Sequence, residues 1–319
     1  MNQSLGAFRA ALVTGWVALG AAGWWLAREK GIPNWAALPV LAAFLIEYPF
    51  YLAAGFRSLR ERFAGPRLTF WLAVTVAIPY LVSCWGTGTF EWMNFVRLLA
   101  LVIALALWYV VLPASAFTDI GFLGLLAAVL LGKYFHRVYV PSYPGLEVPM
   151  LGHLALIRTA ALVLLLVRKL EPAGFGFWPR RNEWKEGFAH YLYFLPLGFP
   201  LGLATDAIRF GPLPSAWRLI GTFFGILWVV ALSEEFFFRG ALQRWLERWT
   251  GSSAAALVGV ALLFGSVHLP FRGFPNWRFA AMAAVAGLFY GLAFRRTGSI
   301  RASMVTHALV VTTWRALFV

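Results

Sequence analysis

Cysteine and charge are scarce in this 319-residue chain. A single cysteine, Cys84, excludes an intramolecular disulfide and any multi-cysteine metal site. A small apolar residue in a packed helix accounts for it. Charged residues make up 13% of the chain, about half the ~25% of an ordinary soluble domain, so a soluble globular fold is excluded. No HExxH stretch is present, which removes the usual zinc-peptidase helix. There is no low-complexity tract, and no internal repeat of the kind found in many transporters.

What fills the chain is apolar. Hydrophobic residues reach 61% and the mean hydropathy is +0.73. Runs such as ALVTGWVALGAAGWWLA, LTFWLAVTVAIPYLVSCW and LLALVIALALWYVVL approach the ~18 to 20 residues that cross a bilayer as a helix. They are continuously apolar, whereas a transmembrane barrel needs alternating segments of ~10 residues. The expected fold is therefore all-α, a polytopic transmembrane protein with about eleven segments, eight to twelve being compatible.

The provisional spans are 7–27, 34–56, 67–85, 96–113, 116–133, 150–167, 188–204, 216–238, 253–269, 277–294 and 299–318. The first is longer than the ~7 to 15 apolar residues of a secretory signal and reads as a retained span. The seventh contains Pro196 and Pro200 and reads as broken, re-entrant or interfacial.

The formal charge of +14 does not point to nucleic acid, because the basic residues are scattered through short connections. The groups around Arg57 to Arg67, Arg168 to Lys185, Arg244 and Arg248, and Arg295 and Arg296 read as cytoplasmic. The polar interval 168–187 suggests two modules, 1–185 and 186–319, with no role assigned to the first. Within it, Glu47 beside Pro49 reads as a carboxylate hydrogen-bonded near a helix kink. Arg158 reads as snorkelling or paired with a carboxylate on another helix.

The C-terminal third differs, because ionisable groups recur on successive apolar segments: Glu234, Glu235 and Arg239, then His268, then His307. At the bilayer centre each costs on the order of 3 kcal/mol, so these faces should turn toward one another and toward water. Glu235 and Arg239 lie one turn apart on one helical face, while Glu234 points about 100° away. Two readings fit: a buried structural ion-pair cluster, or a clamp of Glu235 and Arg239 that leaves Glu234 for chemistry. Phe264 stands one turn before His268, so its ring can shelter the imidazole, and Gly265 and Ser266 allow close helix approach.

EEFFFR (Glu234 to Arg239), FGSVH (Phe264 to His268) and TGSIRASMVTHALVV (Thr297 to Val311) resemble the three signature motifs of the CPBP intramembrane proteases. This family, also called Abi, includes the CAAX prenyl endopeptidases of the Rce type. The resemblance covers about residues 186–319. It implies an integral-membrane endopeptidase acting on a membrane-associated protein or peptide. Glu234 would be the general base that activates water, assisted by His268. His307 would stabilise the oxyanion, and Glu235, Arg239 and Phe264 would support the site. The family frequently has asparagine one turn after the last histidine, where this chain has Val311, which donates no hydrogen bond.

A metal-free glutamate mechanism is the preferred reading, with no cofactor. The alternative is a zinc ion held by Glu234, His268 and His307. Two non-proteolytic readings stay open: a membrane scaffold or immunity protein that keeps the cavity, and a proton-coupled transporter. The expected location is a bacterial inner membrane, and the expected partners are the substrate polypeptide and the lipid bilayer.

Overall fold

The computed structural model describes residues 5–318. Among them every long element is a helix: α1 (Leu5–Glu29), α2 (Asn34–Gly55), α3 (Leu68–Gly86), α4 (Trp92–Val111), α5 (Ala116–Leu131), α6 (Pro149–Val167), α7 (Arg181–Ala204), α8 (Ala216–Thr250), α9 (Ser253–Ser266), α10 (Trp277–Thr297) and α11 (Ile300–Leu317). Each span expected from the sequence coincides with one of these helices. Seven are long and apolar enough to cross a membrane. With the remaining apolar helices they make a polytopic helical membrane protein.

Three differences from expectation stand out. Helix α7 runs unbroken through Pro196 and Pro200. Within lipid a helix is the only open-chain way to satisfy the backbone internally, which outweighs two lost N–H donors. Helix α8 continues past 238 to Thr250, and helix α9 stops at Ser266, three residues short of the provisional end. Pro270 cannot continue α9 and disfavours helical geometry at Leu269, so His268 sits in the turn that follows the helix.

The chain divides into two compact units, Met1–Leu170 and Glu171–Val319. This boundary precedes the one expected near 185. The segment after Leu170 packs on the second unit: the Phe175 ring lies 4.7 Å from Phe236, and Ile300 N–H donates to Ala173 O.

In the first unit, two buried charge networks add to the apolar helix contacts. Arg158 on α6 makes a forked pair with Glu47 on α2 (2.8 and 3.2 Å) and donates to Thr75 Oγ1 on α3 (2.8 Å). Arg158 and Glu47 are both almost wholly buried. Asp119 on α5 accepts two bonds from Arg168 (2.8 Å each) and one from Tyr109 on α4 (2.9 Å). Each network ties three elements of the unit together.

In the second unit, short connections end one helix and start the next. Gly251 adopts φ 67°, which ends α8, and Ser252 caps α9 by accepting from Ala255 N–H. Gly298 (φ 66°) and Ser299 do the same between α10 and α11. The TGS stretch is thus a helix stop followed by a helix start. Helices α9 and α10 approach closely at Gly265, where an added Cβ would lie 2.5 Å from Ala280 O. Ser266, expected to share that role, is exposed and bonds back to Leu263 O.

Candidate active site

Helix α8 carries the two glutamates on a short α-helical turn, Leu232–Glu235, flanked by two π-helical stretches, Ile226–Ala231 and Phe236–Gln243. Such i→i+5 segments cost hydrogen-bond geometry and recur at functional sites. The asymmetry expected between the glutamates is present. Glu235 is fully buried, and Arg239, also fully buried, approaches it at 3.2 Å through Nε and 3.4 Å through an Nη. A second Nη of Arg239 donates to Gly287 O on α10 at 2.9 Å.

Aromatic rings enclose this cation. The Arg239 guanidinium carbon lies 4.7 Å from the Phe264 centroid, 5.4 Å from Tyr290 and 5.7 Å from Phe238. Desolvated cation–π contacts of this kind contribute about 2 kcal/mol. They stabilise a charge that otherwise has one carboxylate and one carbonyl as partners.

His307 projects from α11 into the same cluster. Its Nδ1 is 2.8 Å from Glu235 Oε1; a carboxylate only accepts, so Nδ1 is the donor. Its Nε2 lies 4.0 Å from Glu234 Oε2. The two glutamates therefore face opposite nitrogens of one imidazole. Tyr290 stacks on that ring at 4.6 Å with planes 10° apart, and Phe264 meets it edge-on at 5.9 Å.

Glu234 is the open member. Its side chain is 31% exposed, and its Oε2 is buried with no protein hydrogen bond. A carboxylate with one wet edge and one unsatisfied oxygen has room for water as a partner.

His268 joins the cluster indirectly. Its ring lies 4.8 Å from Phe264, the ring that also touches Arg239 and His307. Its Nδ1 donates to Phe264 O at 2.7 Å, so in the neutral ring Nε2 is the acceptor. It is hydrogen-bonded to neither glutamate. Among the described residues no group of three His, Cys, Asp or Glu side chains is placed to hold a metal ion.

The hydroxyls of Thr306 and Thr312, near Val311 on α11, differ in what they can still donate. Thr306 Oγ1 is buried and donates to Gly187 O at 2.9 Å, so its proton is committed. Thr312 Oγ1 is buried without a partner. Tyr290 and Gly287 escaped the sequence reading altogether. The one signal for them was an aromatic residue set among small ones, in AVAGLFYGLA on α10.

A comparison of this chain with protein families matches residues 216–313 to the family described as type II CAAX prenyl endopeptidase Rce1-like. The chain is also similar to the uncharacterized protein YpbD of Bacillus subtilis (strain 168). The two are 29% identical over 82 residues, 26% of this chain and 38% of that protein's length. No solved structure matches. Residues 216–313, which hold the glutamate pair, Arg239 and both histidines, form an Rce1-like domain.

Proposed function

We propose that the chain is an intramembrane endopeptidase that hydrolyses a peptide bond of a membrane-associated protein or peptide, with Glu234 as general base. The observation that carries this reading is the division of labour within the pair. Glu235 is fully buried against Arg239 and His307, while the Glu234 side chain is 31% exposed and lies no nearer than 4.0 Å to His307 Nε2.

In this mechanism Glu234 takes a proton from water as the water oxygen bonds to the scissile carbonyl carbon. The carbonyl oxygen becomes an oxyanion. His307 donates to it through Nε2; in that role the ring carries both protons, with Glu235 as counter-ion at 2.8 Å. Collapse of the tetrahedral species breaks the C–N bond, and the proton held by Glu234 passes to the departing amine. His268, with its Nε2 lone pair unused by the fold, assists water activation. Arg239, Tyr290 and Phe264 position Glu235 and His307 and do not touch the reacting atoms. The location proposed is a bacterial inner membrane.

No metal takes part in this scheme. Activity retained after exhaustive chelation, with no stoichiometric zinc by elemental analysis, is the expected result. Loss of activity that zinc restores would overturn it.

One observation favours a second reading. Val311 offers no donor and Thr306 is already bonded, which suits a membrane scaffold that keeps the cluster for its shape. Comparative proteomics of membranes holding wild-type chain or Glu234→Gln separates the two. The protease reading expects polypeptides whose new termini appear only with wild type. The scaffold reading expects full complementation by the amide.

A further inference from the structure

In the second unit, the helix ends opposite the Gly251 and Gly298 connections surround a cavity of about 430 Å³. It lies between the start of α8, the end of α11 and the turn that follows α9. Three arginines line it, Arg218, Arg272 and Arg315, and no carboxylate does. Half of its remaining lining is aromatic, Phe271, Trp314 and Phe318.

The backbone and two rings hold one of these cations at the wall. Arg272 holds φ 56°, a left-handed conformation that is strained for a residue with a β-carbon. That geometry sets its guanidinium 5.5 Å from the Phe271 centroid and 5.6 Å from that of Trp314. A cavity lined by three arginines and no carboxylate matches an anion, and the planar guanidinium forks match a phosphate group.

The surroundings identify the source of that phosphate. Trp217 and Trp277, at the first turns of α8 and α10, are 47% and 66% exposed, as expected of rings in a bilayer interface. At that depth the phosphates of lipid headgroups are the abundant anions, and an arginine fork pairs with phosphate bidentately. We propose that this cavity binds the phosphate of an anionic phospholipid, held by Arg272 and Arg315.

The pocket also reaches the candidate active site through stacked rings. Phe271 stacks on Phe279 at 4.4 Å, Phe279 touches Trp314 at 5.2 Å, and His268 lies 5.8 Å from Phe279. Arg272 and His268 share one turn. A lipid bound there therefore braces the segment that carries His268, a consequence that rests on the protease reading, whereas lipid binding itself does not.

The test is native mass spectrometry of the purified, delipidated full chain with dioleoyl phosphatidylglycerol, dioleoyl phosphatidylcholine or inorganic phosphate. Phosphatidylglycerol should be retained in preference to phosphatidylcholine. Arg272→Gln/Arg315→Gln should weaken it about 10- to 30-fold, while Arg272→Lys/Arg315→Lys recovers part of the loss and Arg296→Gln changes nothing. Equal retention of the two lipids, or wild-type retention by the double glutamine variant with an unchanged unfolding midpoint, would overturn the proposal. Displacement of the lipid by equimolar inorganic phosphate would reassign the site to a free anion, and displacement by a short peptide with a free carboxylate would reassign it to substrate. Cleavage that ignores phosphatidylglycerol while binding follows the arginines would refute the brace on His268 alone.

Discussion

Arg239→Met is the sharpest perturbation of the cluster. The arginine is fully buried, and its removal leaves the Glu235 carboxylate with His307 as its one polar partner. Breaking a buried ion pair from one side costs about 3 to 5 kcal/mol, because the surviving charge stays desolvated. The cation–π contacts with Phe264, Tyr290 and Phe238 are part of that sum rather than an addition to it. Glu235→Gln/Arg239→Met removes both charges, and the amide can still accept from His307 Nδ1. The double variant should recover about 2 kcal/mol or more of the loss. Unfolding in mixed micelles reports this directly, since the chain's 16 tryptophans give a strong fluorescence signal. Cleavage should not return with stability, because His307 then lacks its counter-ion. A single variant that costs under about 1 kcal/mol, or a double variant no better than the single, would refute the argument that the pair is a closed charge-balanced unit.

Other perturbations probe separate parts of the account. Arg158→Leu strands Glu47 in the first unit and should cost about 3 to 5 kcal/mol by the same unfolding assay. Gly265→Val places a side chain against Ala280 O and Ala284 and should cost about 1 to 3 kcal/mol, whereas Gly221→Ala, where a Cβ meets nothing within 4 Å, should stay within about 0.5 kcal/mol. Val311→Asn restores a donor one turn after His307, and single-turnover cleavage should rise about 10-fold or more if the oxyanion is under-supplied. An unchanged rate would show that another group already fills that place.

Much of the architecture could be read from composition, because lipid leaves helices as the one open-chain solution and span length follows from bilayer thickness. The helix breaks were harder. Pro196 and Pro200 would stop a helix in water, yet α7 passes through both, while one proline at 270 ends α9 and leaves His268 in a turn. The difference lies in what surrounds each proline, which local sequence does not encode. At the site, the pairing of Glu235 with Arg239 and the contact of Phe264 with His268 followed from helical spacing, which left open whether the cluster is structural or catalytic. The stack of Tyr290 on His307 and the bond from Arg239 to Gly287 O did not, because both join residues distant in sequence through helix packing. The π-helical stretches either side of the glutamates, ILWVVA and FFFRGALQ, share no residue pattern that marks them in the sequence.

The central claim is that Glu234 is the base and Glu235 its buried support. It is tested most directly by the turnover of purified Glu234→Gln on a substrate found by the proteomic comparison, beside wild type of equal unfolding midpoint. The account predicts a loss of about 100- to 10,000-fold in kcat with KM little changed. Turnover within tenfold of wild type would contradict it.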